Sequence, residues 1–480
     1  MNQHRVLFVA SEVTPLIKVG GLADVVGALP GALAPLGVEA RICIPRYGAL
    51  SSVAMGETKN VLTTTIPWKG RSIGVSLLEG RLPNSGVIVY YMDAPEMFSA
   101  GGVYYEHDTE HGTRLAMERF VFFSWAVAHC TPRLSWQPDV VHCHDWHAAA
   151  VPAMLTVLGE QRHTVLTIHN IEGQGKWNAA EVLQWLGLPT GAHAALQPRD
   201  LQGNLNLLQL GICTASVVNT VSPTYAQELL TPQYGQGLEG DLARRPGGVR
   251  GIVNGIDTTL FNPETDSQLP ARYAQDTVAA GKLINKRSVL AECGLTAGSG
   301  PLFVVVGRLT QQKGVDLLPG IIPDIMNHDG RLIILGSGVP EVEQAITTAI
   351  TPYPTFCRAF VKFDAALASR LYGAADFFFM PSRFEPCGLG QLLAMRYGAL
   401  PIVRDTGGLH DTVRDIRRHK DGTGFVFTEP TTEALRAALQ DALRVFNQHD
   451  TMTAARQRAM RYDCSWSRSA STYVTLYSHA

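Results

Sequence analysis

Arg308 and Lys313 stand in the run GRLTQQKG, directly after the apolar run LFVVVG. Two cations at the end of a buried strand suit a diphosphate: guanidinium grips phosphate oxygens as a fork, and ammonium acts as a point charge. Their chemical use would be to stabilise charge developing on a departing phosphate. A solvated charged loop is the competing reading of the same residues. Further along, PSRFEPCGL places Glu385 after the apolar run DFFFM and ahead of a helix expected to begin near Gly390. Glu385 can accept hydrogen bonds from sugar hydroxyls, and the N–H groups of Cys387, Gly388 and Leu389 can face a ligand at the helix start. Cys387 has no adjoining base and is not expected to act as a nucleophile.

Near the N-terminus, Lys18, Gly20 and Gly21 follow the run RVLFVA and precede a helix expected over Leu22–Ala34. Glycines let a phosphate approach the backbone, and a helix N-terminus offers free N–H donors. The G-x-x-x-x-G-K-[ST] pattern is absent, and a plain strand-to-helix turn accounts for the same residues. His142, Cys143, His144 and His147 are possible metal ligands, but a site would need further ligands at workable spacing. Asp145 and Trp146 suit a sugar instead, a carboxylate for hydroxyls and an indole for an apolar ring face. His169 and Asn170, after the run TVLTI, read either as a loop cap or as part of a cleft.

These groups need strands to carry them. Short apolar runs at Arg5–Ala10, Val87–Met92, Val140–His142 and Thr164–Ile168 read as strands of a first half. Runs at Leu302–Gly307, Leu332–Gly336, Ala359–Phe363 and Phe377–Met380 read as strands of a second. Near-continuous apolar runs alternating with helical patterns predict parallel strands covered on both faces, a doubly wound α/β class. The Gly- and Pro-rich segment 242–269 reads as the connection between the halves. The G-G-L-x-D echo between residues 18–24 and 405–411 suggests two similar halves, each aiming a glycine-rich loop at a shared cleft.

Composition narrows the function. The 480 residues hold 40 Lys and Arg against 42 Asp and Glu, net −2, which argues against a broad nucleic-acid surface. The most apolar stretch, Phe120–Ala128, is about half the roughly 20 residues of a spanning helix, so no membrane contact is expected. The start reads as a first strand rather than a signal peptide. Eight scattered cysteines without C-x-x-C fit a reducing cytoplasm.

Taken together, KVGGLADV, HDWHAA, TIHN, VNTVSPTYAQEL, NGIDTTLFNP, GRLTQQKGVDL, PSRFEPCGL and MRYGALPIVRDTGGLHDTV resemble, in order and spacing, the bacterial glycogen synthase and plant starch synthase family. The resemblance covers essentially the whole chain. It implies the GT-B fold: a Rossmann-like acceptor-side domain over 1–245, a Rossmann-like donor-nucleotide domain over 246–460, and a C-terminal segment, 461–480, whose helix (463–479) crosses back to the first domain. It implies transfer of glucose from ADP-glucose to the non-reducing end of an α-1,4-glucan, glycogen or a malto-oligosaccharide, with retention and without metal or other cofactor. Carried over by position, Lys18, Gly20 and Gly21 would contact the donor, with Asp24 in the same motif. Asp145, His169 and Asn170 would line the sugar and acceptor side, His169 near the reacting carbon. Asn254 would lie near the donor, and Arg308 and Lys313 would hold the diphosphate. Glu385 would bind the glucose hydroxyls amid the backbone of Cys387, Gly388 and Leu389, with Thr406, Gly407 and Gly408 near the phosphates.

Three positions depart from the family pattern. HNLAYQG is here HNIEGQG, with Glu172 and Gly173 on the acceptor side. Lys362 and Phe363 replace Gly-Tyr, so that Phe363 is expected to stack on the base without a hydroxyl. EPCGLT ends here in Gly390, a hydroxyl fewer near the phosphates. These motivate one alternative, a related transferase using UDP-glucose or a small acceptor. A catalytically silent glucan-binding protein is a second. A nicotinamide dehydrogenase would need G-x-G-x-x-G after the first strand, which is missing.

Overall fold

The computed structural model describes residues 4–83, 85–104, 109–189, 196 and 203–478. Two compact units emerge: Met1–Val221, Ala226–Ile252 and Trp466–Ala480 form unit 1, and Ser222–Tyr225 with Val253–Ser465 form unit 2.

Unit 1 is built on β1 (His4–Val9), β2 (Val38–Pro45), β3 (Lys59–Trp68), β4 (Arg71–Arg81), β5 (Ile88–Asp93), β6 (Val140–His144), β7 (His163–Ile168), a small antiparallel pair β8 (Lys176–Asn178) and β9 (Asn204–Asn206), β10 (Val217–Thr220) and β11 (Val249–Gly251). The large sheet runs β11-β10-β7-β6-β1-β2-β5-β4-β3, with every pairing parallel except those of β4 with β5 and β3. Its order reverses between β1 and β6, and ligands of open α/β sheets bind outside the strand ends at such a point. The loops after β1 and β6 carry Lys18 and Asp145. Val6, Phe8, Val140 and Val165 on these strands are fully buried, and each large apolar side chain so buried contributes roughly 1.5–3 kcal/mol. The helix Trp466–Tyr477 completes this core with Trp466, Ala470, Tyr473, Leu476 and Tyr477. His479, the expected end of that helix, lies outside the described residues.

Unit 2 contains β12 (Leu302–Val306), β13 (Arg331–Leu335), β14 (Cys357–Phe360), β15 (Phe377–Met380), β16 (Leu400–Arg404) and β17 (Phe425–Phe427). All pairings are parallel, in the order β14-β13-β12-β15-β16-β17. That is the dinucleotide-fold order, with its switch point between β12 and β15. The loops after these two strands are the ones that carry Arg308, Lys313 and Glu385.

Several expectations change. The strand expected over Ala359–Phe363 is β14, Cys357–Phe360; Lys362 and Phe363 lie beyond it, where Asp364 caps the helix Ala365–Ala374. The segment 242–269 is no bare linker. It includes the end of the helix Glu239–Ala243 and the strand β11, and the passage into unit 2 falls between Ile252 and Val253. The G-G-L-x-D echo joins non-equivalent places: one copy follows the first strand of its sheet, the other follows β16, fifth in its unit. In unit 2 the counterpart of the loop after β1 is the loop 307–314.

Candidate active site

In unit 2 the ends of β12 and β15 approach closely because of Gly314. Its φ is +64°, and a Cβ there would sit 1.9 Å from the Pro381 carbonyl oxygen. This brings Lys313 onto Glu385: Nζ lies 2.9 Å from Oε1 and 2.7 Å from Oε2. The Ser382 hydroxyl donates to the same Oε2 at 2.9 Å, and Glu385 is buried. Arg308, on the same loop, donates to Gln312 Oε1 at 3.0 Å in an exposed position.

The Glu385 loop is fastened on every side. Ser222 donates to the Pro386 carbonyl at 2.6 Å, and Thr224 bonds both Asp411 oxygens through its N–H and hydroxyl at 2.9 and 2.8 Å. The Gly408 N–H reaches the Glu385 carbonyl at 3.0 Å. A Cβ at Gly408 would lie 2.2 Å from the Cys387 carbonyl oxygen, so only glycine lets the helix Gly407–Thr412, with Thr406 as its N-cap, lie against this backbone. Gln391 donates to the carbonyls of Cys387 and Gly388 at 3.0 and 3.1 Å. Leu389 is the N-cap of the helix Gly390–Arg396. Asn254 donates its N–H to Cys387 Sγ at 3.4 Å, and its buried Oδ1 has no partner among the described residues. Burial raises the Cys387 thiol to about 12, which suits a packing role rather than a nucleophile.

In unit 1 the loop after β1 is held by a residue that sequence reading passed over. Glu12, 2% exposed, accepts N–H bonds from Val19 and Gly20 on Oε2 and the Tyr104 hydroxyl at 3.1 Å on Oε1. The two N–H groups ahead of the helix Gly21–Leu33 therefore face an internal carboxylate. Burial outweighs these bonds and holds the Glu12 carboxyl above its usual range. Lys18 pairs with Asp24 at 2.7 Å.

Asp145 follows β6 in a left-handed conformation, φ +54°. Its Oδ1 accepts the N–H groups of His169 at 2.7 Å and Asn170 at 3.3 Å, so it fixes the loop after β7. Burial raises its carboxyl to about 7 against those bonds. The histidines of the HCHDWH run do not converge as ligands. His142 joins Tyr477 and Thr167 at 2.9 and 2.6 Å, and His144 Nδ1 lies 2.9 Å from His169 Nε2. Burial depresses the His142 and His169 imidazoles to about 3 and holds His144 well below its ordinary range, so all three are neutral.

The three departures take physical form. Gly173 lies against Trp146: a Cβ would meet the indole at 2.9 Å, so the ring occupies the space of a side chain at 173. A Cβ at Gly390 would lie 3.0 Å from the Phe378 ring, so the missing side chain would point at an aromatic residue of β15. Phe363 is 82% exposed, and Lys362 is drawn to Asp364 at 2.8 Å. Residues missed from the sequence are Glu12, Ser382 and Ser222, and His144 was weighed only as a metal ligand. An acid just past a buried strand and ahead of Gly-Gly was the available signal for Glu12; the others show only in three dimensions.

Comparison with known proteins adds to this geometry. Residues 5–244 match the family described as starch synthase catalytic domain, and residues 300–444 match glycosyl transferases group 1. The chain is 40% identical over 485 residues to a glycogen synthase of Exiguobacterium sibiricum, covering 98% of each. It is 40% identical over 481 residues to a glycogen synthase of Rhodospirillum rubrum, again covering 98% of each. The catalytic domain of starch synthase IV from Arabidopsis thaliana, solved bound to ADP and acarbose, superposes with a TM-score of 0.91 at 31% identity over 100% of this chain and 99% of that one. Sucrose-phosphate synthase from Thermosynechococcus elongatus shares the fold, with a TM-score of 0.62 at 17% identity over 99% and 98% of the two chains.

Proposed function

The chain belongs to the glycogen synthase and starch synthase family, and from that premise we propose that it transfers glucose from ADP-glucose to the non-reducing end of an α-1,4-glucan with retention of configuration. Its function is that of a glycogen or starch synthase with the GT-B fold. The observation that carries the finer reading is the Lys313–Glu385 pair at the switch point of the parallel sheet. It places a held cation beside a carboxylate, one for a leaving phosphate and one for sugar hydroxyls. The ADP and acarbose bound by the Arabidopsis enzyme support the nucleotide and glucan classes.

In this reading Arg308 and Lys313 take the donor diphosphate, and Thr406, Gly407, Gly408 and the Cys387–Leu389 backbone surround it. Glu385 orients the glucose hydroxyls. Within unit 1, Lys18 and Gly21 are assigned to the donor and Asp145, His169 and Asn170 to the sugar. The acceptor O4 bonds to the anomeric carbon as the bond to the diphosphate breaks on the same face. A departing phosphate oxygen takes the O4 proton, and ADP leaves with its charge met by the two cations. No step calls for a metal, so turnover should be indifferent to EDTA. None of the eight cysteines is joined in a disulfide, which supports placing the enzyme in a reducing cytoplasm.

Elongating maltoheptaose with ADP-glucose and reading the new linkages by proton NMR tests the stereochemistry. New α-1,4 residues equal in number to the ADP released support the reading. β-linked residues, or ADP released without elongation, overturn it.

A further inference from the structure

We infer that His144 is a positioning residue that fixes the tautomer of His169; the functional weight of this rests on the assignment of His169 to the sugar side. His142 and His144 share one face of β6, and His144 is the partner of Thr167 on β7. His169 is two residues past Thr167, so both imidazoles lie on that side of the sheet. Their rings are nearly coplanar, 29° apart, with Nδ1 of His144 2.9 Å from Nε2 of His169. His144 is wholly buried. It is stacked on Phe8 at 19° and lies against His142 at 4.3 Å between ring centroids.

Burial keeps both rings neutral, so one proton serves the contact between them. Two arrangements are open. If His169 donated from Nε2, His144 would carry its own proton on Nε2, a buried atom with no partner among the described residues. A buried N–H without an acceptor is the rarer and costlier outcome. If His144 donates from Nδ1, its partnerless Nε2 bears only a lone pair. His169 then accepts on Nε2 and carries its proton on Nδ1. The geometry thus gives His169 a single donor face, Nδ1–H, ready for a hydroxyl or ring oxygen of the sugar. The Asp145 bond to the His169 N–H fixes the backbone from which that ring projects.

The test labels histidine with nitrogen-15 in the full-length protein and assigns the His169 resonances with a His169→Gln variant. The wild-type protein should show His169 protonated on Nδ1 and bare on Nε2. His144→Phe keeps a ring in the stack but removes the donor. It should leave His169 in a mixture of tautomers and lower kcat about tenfold with the KM values little changed, the worth of one neutral hydrogen bond. His144→Asn, whose amide can donate from nearly the same place, should restore the single tautomer and much of kcat. His169 protonated on Nε2 in the wild type, or a His169 spectrum unmoved by His144→Phe, overturns the inference. A tautomer that shifts as stated while His169→Gln turns over normally upholds it and removes His169 from the chemistry instead.

Discussion

Glu385 receives the Lys313 ammonium through both carboxylate oxygens, at 2.9 and 2.7 Å, with the Ser382 hydroxyl on the second at 2.9 Å. The pair aims a charge that would otherwise swing freely on four methylenes. Glu385→Gln keeps the shape and one acceptor oxygen but loses the charge and the two-oxygen grip on Lys313. Its kcat/KM should fall about 10²–10³-fold, the scale of losing a transition-state donor, with little change in the urea midpoint. Lys313→Ala should lose as much turnover and also roughly 1–3 kcal/mol of stability, because Glu385 is left buried with a neutral partner. Adding Glu385→Gln to Lys313→Ala should return part of that stability. Normal turnover in a well-folded Lys313→Ala protein contradicts the assigned role.

The Glu12 clamp makes a different prediction. Glu12→Ala strips the acceptor from the N–H groups of Val19 and Gly20 and frees the Tyr104 hydroxyl. The loop bearing Lys18 should loosen, raising KM for the nucleotide sugar several-fold, with roughly 2 kcal/mol lost in urea unfolding. Glu12→Gln, which still offers a carbonyl oxygen, should lie between. Equal KM values in all three proteins would show that the loop holds without the clamp.

Buried histidines predict acid sensitivity. The folded pKa values of His142 and His169 lie near 3, and burial holds that of His144 well below its ordinary 6.5. A depressed folded value gives stability that is present above about pH 6.5 and lost as pH falls toward 3. Asp145, raised from 3.8 to about 7, acts in the opposite sense, its contribution present at low pH and lost as pH rises through 7. The difference between variants isolates one group. His144→Phe should take up one proton fewer on unfolding, so that its unfolding free energy falls by about 1.4 kcal/mol less per pH unit than that of the wild type between about pH 4 and 6. Parallel pH profiles would mean that His144 titrates normally in the fold.

Gly314 tests the close approach of two loops. Ala at this position must find room against the Pro381 carbonyl and hold φ at +64°. Gly314→Ala should separate Lys313 from Glu385 and cut kcat/KM at least tenfold, with roughly 1–3 kcal/mol of backbone strain seen in urea unfolding. Gly56→Ala has a similar φ of +65° but nothing within 4 Å, so it should cost stability without touching turnover. Equal activity of the two variants would show that the contact is dispensable.

Buried parallel strands that are unbroken apolar runs, such as LFVVV of β12, were legible, whereas β10 (VVNT) and β16 (LPIVR) were passed over. Strands β2 and β3 were not legible, because exposed or half-exposed polar residues such as Glu39, Arg41, Lys59 and Asn60 interrupt the pattern. Arg308, Lys313 and Glu385 announced themselves by charge next to a strand end. Glu12 and His144 did not, because their meaning lies in what they touch: two backbone N–H groups seven and eight residues on, and a ring on the neighbouring strand. Phe363, given to the base by the family resemblance, has its ring in solvent, where a stacking partner can reach it.

Nucleotide release from ADP-glucose and UDP-glucose, measured side by side with and without glycogen, tests the central claim most directly. The account predicts glycogen-dependent ADP release well above UDP release. Faster UDP release, or release that ignores glycogen, would keep the fold and contradict the assigned donor or acceptor.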